Sequence, residues 1–140
     1  MALVLKDYNV STSGVTDYKQ YGSSWGSSKT SCGGTMTSEG CVITAFTNIL
    51  NYKGKSVTPA NVLATLKAKR YDCLFAWDSA ASTYGISHVR KDGTFNTVKQ
   101  ELFKAIVKQR KAVLVHTQPH SFVVYGFSGQ IAEDNETGAV

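Results

Sequence analysis

Ser38-Glu39-Gly40-Cys41-Val42-Ile43-Thr44-Ala45-Phe46-Thr47-Asn48-Ile49-Leu50-Asn51-Tyr52 is the stretch on which the reading of this chain turns. Val42, Ala45, Phe46, Ile49 and Leu50 recur at helical spacing and define a buried face. Cys41 follows a glycine and lies on the flank of that face, roughly 110° from its centre at about 100° per residue. It therefore occupies the first turn of the expected helix, where unpaired N–H groups and the helix dipole favour an anion. That setting lowers a thiol's pKa and yields the nucleophilic thiolate. The competing reading, a small buried hydrophobe, is the ordinary state of a free cysteine. Cys32 and Cys73 are assigned to it. Cys41 departs from it only if the fold also supplies a base and an oxyanion donor.

Outward from this stretch, helices come first and strands follow. Gly54 supplies the stop of the Cys41 helix. Thr58-Pro59 opens a second helix, with Thr58 as N-cap and Val62, Leu63 and Leu66 as its apolar stripe. A third helix is expected over Leu74–Tyr84, ending at Gly85. A fourth is expected over Thr97–Lys108, capped by Asn96, with Val98, Leu102, Ala105 and Ile106 facing inward. Lys111–His116 and Ser121–Tyr125 are β-branched and aromatic runs, read as an antiparallel hairpin in a sheet buried on both sides. Residues 2–10 read as extended. Residues 11–39 are rich in Ser, Thr and Gly, yet carry Tyr18, Tyr21 and Trp25, which implies an ordered loop wrapped on the domain. Helices followed by strands give an α+β class.

The chain's 140 residues suit one domain. A hydrophobic fraction of 42% with 18% charged residues is that of a globular chain, and no segment has the apolar length of a membrane span. Met1–Val10 lacks the basic start and apolar run of a signal peptide, so synthesis in the cytoplasm is expected, with any exit by a signal-independent route. Three cysteines cannot all pair internally, which suggests free thiols in a reducing compartment. The net charge of +5 is spread over small clusters without interleaved aromatics. This excludes a recognisable nucleic-acid motif and favours diffuse attraction to polyanions such as wall polymers.

His120 precedes a strand, immediately after Pro119, and is the preferred base because packed strands hold its rotamer. His116, four residues earlier on the facing strand, is the rival, and a satisfied structural histidine is its alternative. His88 reads as a surface residue. The Cys/His spacings form no zinc set, and no metal or cofactor is expected.

Tyr18-Lys19-Gln20, Trp25, Gly40-Cys41 opening a helix through Asn51-Tyr52, Val57-Thr58-Pro59, and His120 before Phe122-Val123-Val124 occur in an order that resembles the C39-like cysteine peptidases. The resemblance runs over about residues 18–129. It implies a papain-like fold, a helical half packed on an antiparallel sheet, with Cys41 as nucleophile, His120 as general acid/base and Gln20 as oxyanion donor. A side-chain amide suits that last role because it donates without titrating. Two departures stand out. Val42 occupies the place of a second glycine, and the Asp or Asn that orients the histidine has only Asp134, Asn135 or a residue beyond Val140 as counterpart. Residues 1–130 are therefore assigned to the peptidase-like domain. Residues 131–140 are assigned to a solvated acidic tail, read as the truncated start of further sequence and further domains.

The resemblance implies hydrolysis of a peptide or amide bond. The preferred substrate is peptidoglycan, cut by a phage or bacterial wall hydrolase acting at the cell wall or from a virion. The alternatives are a leader-peptide or protein-maturation peptidase, and a catalytically silent binding module of the same shape.

Overall fold

A computed structural model describes residues 2–22, 24–117 and 120–140. The chain is α+β, and its described residues form five α-helices and two small antiparallel sheets, distributed over two compact units. Among the described residues, no helix is long and apolar enough to cross a membrane.

One unit comprises Gly14–Val89 and Leu114–Val123. It holds α1 (Met36–Glu39), α2 (Cys41–Tyr52), α3 (Pro59–Ala68) and α4 (Trp77–Thr83). Thr35 opens α1 with a capping box closed by Ser38, and Thr58 opens α3 with one closed by Asn61. The apolar stripes of α2 and α3 meet in a core of Met36, Ile43, Phe46, Leu50, Val62, Leu63, Leu66 and Ala80. The third expected helix starts three residues late. Residues 72–75 are taken up by a bridge between Asp72 and Phe75, which leaves Leu74 91% exposed. The hairpin strands β2 (Val113–His116) and β3 (Ser121–Val124) lie close to the expected runs. They are not buried on both sides: most of their residues are half-buried and Phe122 is exposed. A sheet of two four-residue strands has too little face to bury both sides.

The other unit comprises Met1–Ser13, Arg90–Val113 and Val124–Val140. β1 (Leu3–Ser11) pairs antiparallel with β4 (Gly126–Asp134), in a register from Leu3 opposite Asp134 to Ser11 opposite Gly126. The expected solvated tail is therefore partly strand, and Glu133 and Asp134 are buried. α5 (Phe95–Phe103) begins after Thr94 rather than Asn96, and widens into a π-helical turn at Lys104–Lys108. The extra residue in that turn rotates the stripe, so Val107 is buried beside Ile106, while Ala105 is only half-buried. Ile106 and Val107 join Val10 in a small core flanked by Tyr8, Leu102, Phe103 and Phe127.

Candidate functional site

Cys41 is the first residue of α2, half-buried, and the one free cysteine among the described residues. Gly40 ends α1 and caps α2 at once. A Cβ at Gly40 would lie 2.6 Å from both the carbonyl oxygen and the sulfur of Met36, so only glycine lets buried Met36 pack against this turn. A glycine cap also places no side-chain oxygen over the first N–H groups of α2. Among the described residues neither the Cys41 N–H nor its thiol makes a hydrogen bond.

The turn leading into Cys41 is held from several sides. The Glu39 carboxylate accepts from the Thr30 hydroxyl and from the Gly34 N–H at 3.0 Å. The buried Asp72 carboxylate accepts from the Ser31 N–H at 2.8 Å and the Ser31 hydroxyl at 2.7 Å. Beside it, Cys32 and Cys73 form a disulfide with their Cα atoms 5.8 Å apart. The expectation of three free thiols is therefore corrected: two are paired, which relieves the odd count by leaving Cys41 alone. Sequence could not reveal the pairing, because three cysteines allow several partners and the pair is 41 residues apart.

Gln20 sits against this same turn. Its side-chain amide donates to the Thr37 carbonyl at 2.8 Å and, at a longer 3.4 Å, to the Met36 carbonyl. A loop residue distant in sequence is thus brought to within four and five residues of Cys41 along the chain. The loop carrying it is secured at Lys19, whose carbonyl accepts from the Trp25 indole at 2.7 Å, and at Tyr18, whose backbone bonds to Asn48 of α2. Asn48 escaped the sequence reading because a single amide beside an apolar stripe looks like a solvated flank, whereas it is 8% exposed.

His120 belongs to the same compact unit as Cys41 and Gln20. It stands immediately before β3, exposed, its ring 6.0 Å from that of Phe122. Its carbonyl accepts from the Thr117 N–H at 2.8 Å and the Thr117 hydroxyl at 3.0 Å, which fixes its backbone. Pro119, invoked in the sequence reading, lies outside the described residues. No hydrogen bond joins His120 to Cys41 or to Gln20 among the described residues.

The other histidines are engaged. His116 Nδ1 lies 2.5 Å from the hydroxyl of buried Ser121, and its ring meets Trp77 edge-on at 5.8 Å. His88 is exposed, as expected, with its Nδ1 2.8 Å from the Asp78 carboxylate and its ring stacked on Trp77. Among the described residues His120 alone of the three has a side chain with no hydrogen-bond partner. Asp134, one candidate to orient it, falls in the other compact unit and spends its carboxylate on the N–H groups of Glu136, at 2.8 Å, and Thr137, at 3.4 Å. Asn135 is exposed, and its N–H donates to the Ala2 carbonyl at 3.0 Å.

Among the described residues no group of three or more His, Cys, Asp or Glu side chains is arranged to hold a metal ion. No protein-family model, no curated protein and no solved structure matches this chain.

Proposed function

We propose that this chain is a papain-like, C39-like cysteine hydrolase whose nucleophile is Cys41, and that its substrate is an amide or peptide bond of peptidoglycan. The observation that carries the reading is the docking of the Gln20 amide on the turn that delivers the free thiol of Cys41. His120, held before β3 with its ring stacked near Phe122 and making no hydrogen bond among the described residues, is the base. It takes the thiol proton, and the thiolate attacks the carbonyl carbon of the substrate. The oxyanion is met by the Cys41 N–H and by the Gln20 amide, whose longer bond to the Met36 carbonyl is the one a stronger acceptor displaces. His120 then protonates the leaving amine, and water hydrolyses the thioester. The missing Cys41–His120 bond is of a kind that tightens on substrate binding.

Two features favour wall over an intracellular maturation substrate. The net charge of +5 draws the chain to anionic wall polymers, and the Cys32–Cys73 disulfide belongs to an oxidising environment rather than a reducing cytosol. The absence of a hydrogen bond between thiol and imidazole among the described residues favours the second reading, a silent module with the same shape.

Iodoacetamide labelling of the native chain from about pH 5 to about pH 9, read by peptide mass spectrometry, separates the two. The hydrolase reading expects Cys41 to react at a pH well below that of a free thiol and to slow in His120→Ala. It also expects purified peptidoglycan to release new amines, and Cys41→Ser to abolish that release. A Cys41 that labels as an ordinary thiol, unchanged by His120→Ala, overturns it in favour of the silent module.

A further inference from the structure

We infer that Asn48 is the positioning residue that sets Gln20 against Cys41, an inference that rests on the hydrolase reading for its catalytic consequence. A buried side-chain amide is costly unless both its ends are bonded. Asn48, 8% exposed on α2, spends both ends on the loop opposite. Its oxygen accepts from the Tyr18 N–H at 3.0 Å and from the Thr16 hydroxyl at 2.7 Å. Its nitrogen donates to the Tyr18 carbonyl at 3.4 Å. One side chain thus grips both backbone groups of one residue, as a neighbouring strand would, and fixes the orientation of that residue as well as its place.

The geometry of α2 gives this grip its direction. Asn48 follows Cys41 by seven residues, nearly two full turns, so both project from the same side of the helix, about 10 Å apart along its axis. Gln20 is two residues beyond Tyr18, a reach of at most about 7 Å, and its amide is bonded to α1, the short helix that leads through Gly40 into α2. The loop therefore runs from Asn48 on α2 to the Met36 and Thr37 carbonyls of α1, the helix that ends two residues before Cys41. Each of its last three residues has its own anchor: Tyr18 on Asn48, Lys19 on the Trp25 indole, Gln20 on Thr37 and Met36. An apolar residue at position 48 would fill the space but hold no register, since apolar contact carries no directional preference.

The test compares Asn48→Leu, of similar shape, with Asn48→Asp, which keeps the accepting oxygens and loses the donor, in the full chain with Gln20→Ala and Cys41→Ser as references. Positioning expects kcat on peptidoglycan to fall about ten- to a hundredfold in Asn48→Leu, short of the roughly hundred- to thousandfold loss from removing an oxyanion donor outright. KM and the rate of Cys41 labelling stay within about twofold, and adding Asn48→Leu to Gln20→Ala costs less than about a further twofold. Losses that multiply in the double variant overturn the inference, as does an unchanged kcat. The side-chain amide resonances of Gln20 give a readout free of turnover: they move toward those of a free glutamine in Asn48→Leu and part of the way in Asn48→Asp. Unmoved resonances overturn the inference, and Asn48→Asp serves if Asn48→Leu does not fold. Cys41→Ser judges the reaction and the Gln20 resonances judge the positioning, so the two failures are distinct.

Discussion

Single atoms decide much at the turn before Cys41. Gly40→Ala places a methyl 2.6 Å from the Met36 carbonyl oxygen, which is helix backbone, and 2.6 Å from the sulfur of its fully buried side chain, so one or both must shift. The expected cost is about 1–3 kcal/mol, measured by denaturant melting, together with slower labelling of Cys41 as its turn shifts. A second site of consequence is the buried Glu133 carboxylate of β4. It accepts from the Tyr8 hydroxyl and pairs with Lys6 at 3.2 Å and Lys108 at 3.6 Å. The Tyr8 bond holds its pKa below the ordinary 4.5 against the opposing pull of burial, with Lys6 and Lys108 adding to the effect. A depressed carboxylate contributes its full stability above about pH 4.5 and loses it as pH falls through the folded value. Thermal melts from about pH 7 to about pH 3 should therefore show a steep acid loss that Glu133→Gln flattens, while lowering stability at neutral pH. Lys108 is held above its ordinary 10.5 chiefly by its hydrogen bond to Tyr8, so its own contribution disappears at the alkaline end. Among the site residues, the helix-start position of Cys41 was legible because glycine followed by an apolar period marks a helix start. Gln20 was legible only through resemblance, since a glutamine in a polar loop has no local signature. Asn48 was not legible at all, because its partners lie 30 and 32 residues away.

Elements were readable wherever local chemistry and periodicity agreed. α2 begins at Cys41 and ends at Tyr52, and α3 starts at Pro59 behind a Thr58 cap, both as the sequence indicates. α4 loses its first turn to contacts that sequence does not display, the bridge at Asp72 and the cross-link at Cys73. The fourth helix keeps its expected extent at the far end but changes winding there, because burying Val107 with Ile106 outweighs regular hydrogen bonding. The cross-link also ties two elements together, the loop before α1 and the turn after α3. Closing a 41-residue span in the unfolded chain, it should contribute about 4 kcal/mol by loop entropy, and engineered cases deliver less. A Cys32→Ser, Cys73→Ser double variant is expected to lose about 2–4 kcal/mol in chemical denaturation. Its Cys41 should still label, because Glu39 and Gln20 hold the turn independently.

At the scale of the whole molecule, the α+β class was legible and the pairing of the chain's two ends was not. β4 reads Gly126-Phe127-Ser128-Gly129-Gln130-Ile131-Ala132-Glu133-Asp134, with two glycines and a single β-branched residue, so nothing local announces a strand. Its partner β1 lies at the opposite end of the sequence, and only tertiary pairing makes it a strand. Ending the chain after Tyr125 removes every ladder partner of β1. Hydrogen exchange of the amides in Leu3–Ser11 should then approach the rate of an unstructured peptide, and unchanged protection would show that β1 does not depend on β4. The cross-link has a topological side as well. Residues 32–73 form a covalent ring that contains Cys41, all of α2 and α3, and the exposed connection Lys53–Ser56 between them. A single backbone cut inside that ring leaves the chain in one piece. A protease that nicks the connection therefore does not release the nucleophile from the rest of the molecule until a reductant opens the ring.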